Sequence, residues 1–182
     1  VRTAIRKRRV LECRYESVRR GEKESEKKAD ERFHFHPYAL VFNQRAWYVI
    51  GHHEAREALR TLKLNRFTQC ALTNLKFDMP KDFTLDDPLG CAWRMIRGSK
   101  RYEVELRFDA EFAETVADTH WHATQEIDWH EDGSITFRCT VDGLDEIVWW
   151  VLSMGPHCRV VKPKALATRI RDLARETVRQ YE

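Results

Sequence analysis

The sequence predicts an α+β chain: a small antiparallel β-barrel, then a ferredoxin-like domain of order βαββαβ with a C-terminal helix. Three observations carry this. Residues 10–77 hold five short strand-like segments joined by mostly polar connections, which is the pattern of a small barrel. Proline and glycine punctuate residues 79–100 and break that pattern. From residue 101 onward, strand and helix periodicities alternate in the order of a split βαβ unit. The expected organisation is therefore a first domain over 1–78, a linker over 79–100 and a second domain over 101–182.

The elements follow in order. Residues 2–9 are strongly basic around Ile5 and read as a short lead-in helix. In 10–15, Leu11, Cys13 and Tyr15 share one strand face. Residues 19–31 are almost wholly charged around Gly21 and read as a solvated hairpin connection. Phe33 and Phe35 then alternate with Arg32, His34 and His36. Residues 46–52 are rich in β-formers. Over 58–64, Arg60, Leu62 and Leu64 face one way and Leu59, Thr61 and Lys63 the other; 67–77 is a longer, less regular strand. In the second half, Tyr102, Val104, Leu106 and Phe108 alternate with charged residues. Phe112, Ala113, Val116 and Ala117 fit a short helix, and 121–129 reads as a strand. Asp132-Gly133 is a turn before the alternating Ile135, Phe137, Cys139 and Val141. Leu144, Ile147, Val148, Val151 and Leu152 form a helical stripe closed by Gly155. A short strand over 158–161 precedes Pro163, which opens a final helix carrying Leu166, Ile170, Leu173, Val178 and Tyr181.

Composition narrows the classes. The 182 residues are 42% hydrophobic and 34% charged, with a net charge of +3; that balance suits a folded domain and is too weak for duplex-DNA binding by bulk charge. No apolar run is long enough to span a bilayer, and the basic start lacks the apolar stretch of a signal peptide. Five scattered cysteines without a CxxC pair read as reduced, mostly buried thiols in the cytoplasm. The first residue is valine, which fits a processed start or a piece of a longer protein. His34/His36 and His120/His122 have strand-face spacing, but two ligands do not make a zinc site, so no metal and no cofactor are expected. A Gly-rich phosphate loop, HExxH and GxSxG are all missing, so no enzymatic role is expected.

The run His36-Pro37-Tyr38-Ala39-Leu40, then Trp47-Tyr48-Val49, then Leu59-Arg60-Thr61-Leu62-Lys63-Leu64-Asn65-Arg66-Phe67 resembles the WYL domain. The departures are Val49 for the family's leucine, Leu62 for a phenylalanine, Lys63 for an arginine, Asn65 for an aspartate and Phe67 for an isoleucine. Lysine at 63 loses the bidentate fork of arginine. The second half resembles the C-terminal extension domain that follows WYL domains. The resemblance implies an Sm-like (SH3-like) barrel and the sensing part of a bacterial transcription regulator. It further implies a single-stranded DNA/RNA or nucleotide ligand, duplex DNA contacted only through a helix-turn-helix preceding this chain, a homodimer, and no membrane.

The residues themselves supply candidates for such a ligand: His36, Tyr48, Arg60, Lys63, Arg66 and Arg32, cations and rings on or beside stiff strands. Arginine forks suit phosphate oxygens, and aromatic faces suit bases. Two readings stand for most of them. Arg60 and Arg66 either hold ligand or close a structural ion pair. His36 is either a ligand or a satisfied packing residue, and Lys63 and Arg32 are either ligands or solvated surface charge. Trp47 is expected in the barrel core through its parity with apolar Val49. Of Trp149 and Trp150, one ring is expected in the core and one at an edge or dimer contact. The alternative function is a structural dimerisation or protein-interaction module.

Overall fold

A computed structural model describes residues 1–16, 32–43 and 45–182; the charged connection read over 19–31 lies outside them. The chain is mixed α and β, with two antiparallel sheets and a C-terminal helix. It divides into two units, 1–88 and 89–182. Among the described residues no helix is long and apolar enough to cross a membrane.

In the first unit, α1 (Arg2–Lys7) leads into β1 (Arg9–Tyr15). The helix ends at Arg8, whose φ of 49° lets its N–H turn back to the Ile5 carbonyl. Strands β2 (Phe33–Asn43), β3 (Ala46–His53), β4 (Ala58–Lys63) and β5 (Phe67–Lys76) follow, in the sheet order β4-β3-β2-β1-β5. On one face Leu11, Cys13, Phe35 and Val49 bury against Ala4 of α1. On the other, Val10, Tyr38 and Phe77 form a smaller core with Met79 and Phe83.

The sheet must curl. Flat, its two edges would stand roughly 19 Å apart. They are joined only by the 3₁₀ turn Leu64–Arg66, and four Cα steps reach at most roughly 14 Å. Both edges meet at Tyr15: its hydroxyl accepts the Lys63 N–H at 3.0 Å, and it faces Phe67 across the β1–β5 pair. Bulges in β1–β5 and at Pro37/Ala39 in β2–β3 add twist. The expected closed barrel is nonetheless not formed. Among the described residues no pairing joins β4 to β5, because the turn carries the chain across the end of β1 instead of alongside β4.

Trp47 departs from expectation. It keeps the parity of buried Val49 but is 50% exposed. It lies one residue from the β2–β3 turn, opposite Phe42, where the hairpin runs past the end of the core.

The second unit contains β6 (Arg101–Phe108), α3 (Ala110–Ala117), β7 (Glu126–Trp129), β8 (Ile135–Asp142), α4 (Ile147–Ser153), β9 (Cys158–Lys162) and α5 (Lys164–Val178). A short helix, α2 (Asp86–Leu89), stands at the junction of the units. The sheet order is β7-β8-β6-β9, antiparallel throughout. The alternation in β6 and β8 puts Val104, Leu106, Phe108, Ile135, Phe137, Cys139 and Val141 on one face, against Val116, Ile147, Val148, Val151 and Leu166 of the helices. Asp109 caps α3 by accepting the Phe112 N–H. Trp150 is buried and Trp149 exposed. The strand read over 121–129 forms only from Glu126. Before it, the Gln125 side chain accepts the N–H groups of Trp121 and His122 and bends the chain into a turn. Val178 and Tyr181, read as part of the last helical stripe, are exposed.

Candidate functional site

Strand alternation sorts the six candidate residues. Tyr48 pairs with Lys63 across β3–β4, so the two side chains are neighbours on one face. His36 pairs with His52 on that same face, but four residues further along β3, roughly 13 Å away. Arg60 pairs with Gly51 and faces the other way, with Leu62 and Val49. Arg66 sits in the turn after β4, where its carbonyl accepts the Glu16 N–H at 2.9 Å. Arg32 precedes β2 and pairs with Glu12 at 3.4 Å. The fold thus groups Tyr48, Lys63 and the turn of Arg66 at one end of β4, with Arg60 on the reverse face and His36 and Arg32 apart.

Their chemistry differs accordingly. The half-buried His36 ring stacks on Phe77, with centroids 5.2 Å apart, and lies 5.5 Å from His52. Burial, and then the neighbouring His52, hold its pKa below the ordinary histidine value, so at neutral pH the ring brings no charge to a phosphate. Arg32 lines a cleft of about 330 Å³ with Glu12, Phe33, His34 and Glu54; His34 lies 3.0 Å from Glu54 there, so Arg32 and His34 each have a carboxylate beside them. No group of three or more potential metal ligands occurs among the described residues.

Arg60, Lys63 and Arg66 behave differently. Among the described residues none of the three makes an ion pair, whereas Arg32, Arg97, Arg101, Arg107, Arg138 and Arg169 all do. The charges of Arg56 and Arg60 reach His53, whose pKa is lowered first by burial and then by these two cations. Sequence reasoning missed two exposed rings on the Arg60 face of the sheet. Phe42 is 58% exposed, and its ring centroid lies 5.2 Å from that of Trp47. The signal was present in the hairpin: both residues are one pair from the turn, beyond the last buried positions of β3.

His122, the other histidine of a strand-spaced pair, is a packing residue. Its ring lies parallel to Trp93 and its nitrogens contact the Ala92 carbonyl and the Thr124 hydroxyl.

Residues 1–72 match the WYL domain and residues 100–178 match the WCX domain. The chain carries a WYL domain followed by a WCX domain. Two solved structures are similar to this WYL–WCX chain. Proteasome accessory factor B/C (PafBC) of Arthrobacter aurescens is 18% identical, with a TM-score of 0.40, over 100% of this chain and 26% of that one. A CRISPR Cas-related protein is 11% identical, with a TM-score of 0.60, over 99% of this chain and 49% of that one. The second likeness is one of fold. The chain spans about a quarter and about half of these two proteins. No curated relative matches it.

Proposed function

We propose that this WYL–WCX chain is the ligand-sensing part of a transcription regulator, and that its WYL sheet binds single-stranded nucleic acid or a nucleotide. The observation that carries this is the set of cations Arg60, Lys63 and Arg66, without carboxylate partners among the described residues: Lys63 and the turn of Arg66 stand beside Tyr48, and Arg60 shares the reverse face with the exposed Phe42–Trp47 rings. Unpaired cations on stiff strands suit phosphates, and exposed rings suit bases. In this reading the protein is a binding module rather than an enzyme, acts in the cytoplasm as a homodimer, and uses occupancy of the sheet to bias a helix-turn-helix segment that contacts duplex DNA. The order β4-β3-β2-β1-β5 behind a lead-in helix supports an open Sm-like barrel. The order β7-β8-β6-β9, with helices after β6 and β8, supports a ferredoxin-like WCX domain.

Titration with fluorescent single-stranded oligonucleotides at two salt concentrations tests the ligand. Binding should weaken as salt rises. Arg60→Ala and Arg66→Ala should each weaken it while leaving the melting temperature nearly unchanged. No binding of oligonucleotides or nucleotides would refute the ligand assignment. The exposed Phe42–Trp47 pair also suits a second reading, a protein-docking or dimerisation module. In that case Trp47→Ala lowers the mass measured by sedimentation and leaves oligonucleotide binding untouched.

A further inference from the structure

Strands β1 and β5 place two cysteines face to face. Cys13 and Cys70 are direct cross-strand partners, between the regular pairs Glu12–Ala71 and Arg14–Gln69. Their sulfurs are 4.0 Å apart and both are free thiols. Directly opposed Cα atoms in an antiparallel pair stand about 4.5–5.5 Å apart, inside the span of about 4.4–6.8 Å that a disulfide bridges. Joining the sulfurs therefore needs side-chain rotation and no movement of backbone.

The two thiols are unequal. Cys13 is 1% exposed, packed with Leu11, Phe35 and Val49, whereas Cys70 is exposed on the edge strand. The Cys13 thiol donates to the Cys70 sulfur. That hydrogen bond pulls the Cys70 pKa down to about 7, against the opposing effect of burial, and with burial pushes Cys13 far up. Elsewhere burial pushes Cys139 and Cys158 up to about 12. Only a thiolate attacks an oxidant at a useful rate.

We propose that Cys13 and Cys70 form a peroxide-reactive pair, with Cys70 as the attacking thiol and Cys13 as the resolving thiol that closes an intramolecular disulfide. The Cys70 sulfur attacks one oxygen of hydrogen peroxide. The O–O bond breaks, Cys70 becomes a sulfenic acid, and the departing hydroxide takes a proton to leave as water. The Cys13 sulfur, giving up its proton, attacks the Cys70 sulfur; the S–O bond breaks, a second water leaves and the S–S bond forms. Two thiols lose two electrons and the peroxide gains them. This inference is independent of any ligand on the WYL sheet.

The test is titration of the full chain with one equivalent of hydrogen peroxide, followed by thiol counting and peptide mapping. Free thiols should fall from five to three, with one peptide pair linked through residues 13 and 70, and dithiothreitol should restore them. The reaction rate should rise with pH around a midpoint near 7. Cys70→Ser, at an exposed position, should keep all its remaining thiols at the same dose. Cys13→Ala should stall as a Cys70 sulfenic acid that a cyclic 1,3-dione traps. Should that variant not fold, the pH midpoint and the mapped link in the unaltered chain decide the matter. Prior oxidation of Cys91, Cys139 or Cys158, or a Cys70–Cys70 link between two copies of the chain, would overturn the proposal.

Discussion

Asp142 shows how much one side chain can hold. It is 5% exposed, and its carboxylate accepts from Arg101 Nε at 3.0 Å, Arg97 Nε at 2.9 Å and the Cys91 N–H at 3.2 Å. These donors, Arg101 foremost, hold its pKa below the usual carboxylate range. A depressed folded pKa contributes stability that is present above the unfolded value, about 4, and lost as pH falls through the folded one. Thermal melts from pH 7 to pH 2.5 should therefore show a falling melting temperature in the acid range. Asp142→Asn should make that fall shallower, not abolish it, since Asp109 and Asp132 are also held low. The same variant should cost about 1–3 kcal/mol at neutral pH, a figure limited by the exposure of both arginines. Trp47 gives the opposite lesson. Because its ring stands outside the core, Trp47→Ala should leave the melting temperature nearly unchanged. If it stacks on a base, the loss is roughly 1–3 kcal/mol, about 5- to 150-fold in Kd for an oligonucleotide. An unchanged Kd would remove Trp47 from the surface. The parity rule assigned its face correctly; what parity does not carry is how far along a strand the core extends.

Among the elements, residues 91–97 separate the linear pattern from the folded result. Proline and glycine around them read as a linker. In the structure they form a strap on the second unit. Glu146, at the start of α4, accepts the N–H groups of Arg94, Met95 and Ile96 at 2.8, 3.0 and 3.1 Å. Trp93 packs against Trp150 and His122. Gly98 lies against Gly143, where a Cβ would come within 2.6 Å of the Gly143 Cα, so the glycines there permit close backbone approach. Glu146→Ala leaves three N–H groups without their acceptor and should cost about 2–4 kcal/mol. Chemical denaturation measures that cost, and amide exchange at 94–96 should accelerate. Unchanged exchange would mean that Glu146 does not hold the strap. By contrast β6 and β8 were plain in the sequence, because a sheet buried on one face imposes strict alternation. The strand read over 121–129 was too long because periodicity cannot register a Gln125 side chain that takes over backbone N–H groups.

At the scale of the molecule, the two units predict how the chain can be cut. A fragment of residues 89–182 should melt in one cooperative transition. A fragment starting at residue 101, close to the WCX match, loses Trp93, the donors to Glu146, and the Cys91 and Arg97 donors to Asp142 while keeping Arg101. Its melting temperature should lie more than about 10 °C lower, given roughly 3–5 kcal/mol for a buried tryptophan and roughly 4–8 °C per kcal/mol in a domain of this size. Equal melting temperatures would show the strap to be passive. The sequence by itself determined the order of strands and helices, the two alternating sheets, and the resemblance to the WYL domain, because side-chain periodicity and a local signature are properties of neighbouring residues. Only the tertiary structure decided that the first sheet curls without closing, that Trp47 stands outside the core, that Arg60 and Lys63 face opposite ways with no ion pair among the described residues, and that Cys13 meets Cys70. Each of these depends on strand register or on the end of a packed layer, which join residues far apart in the chain.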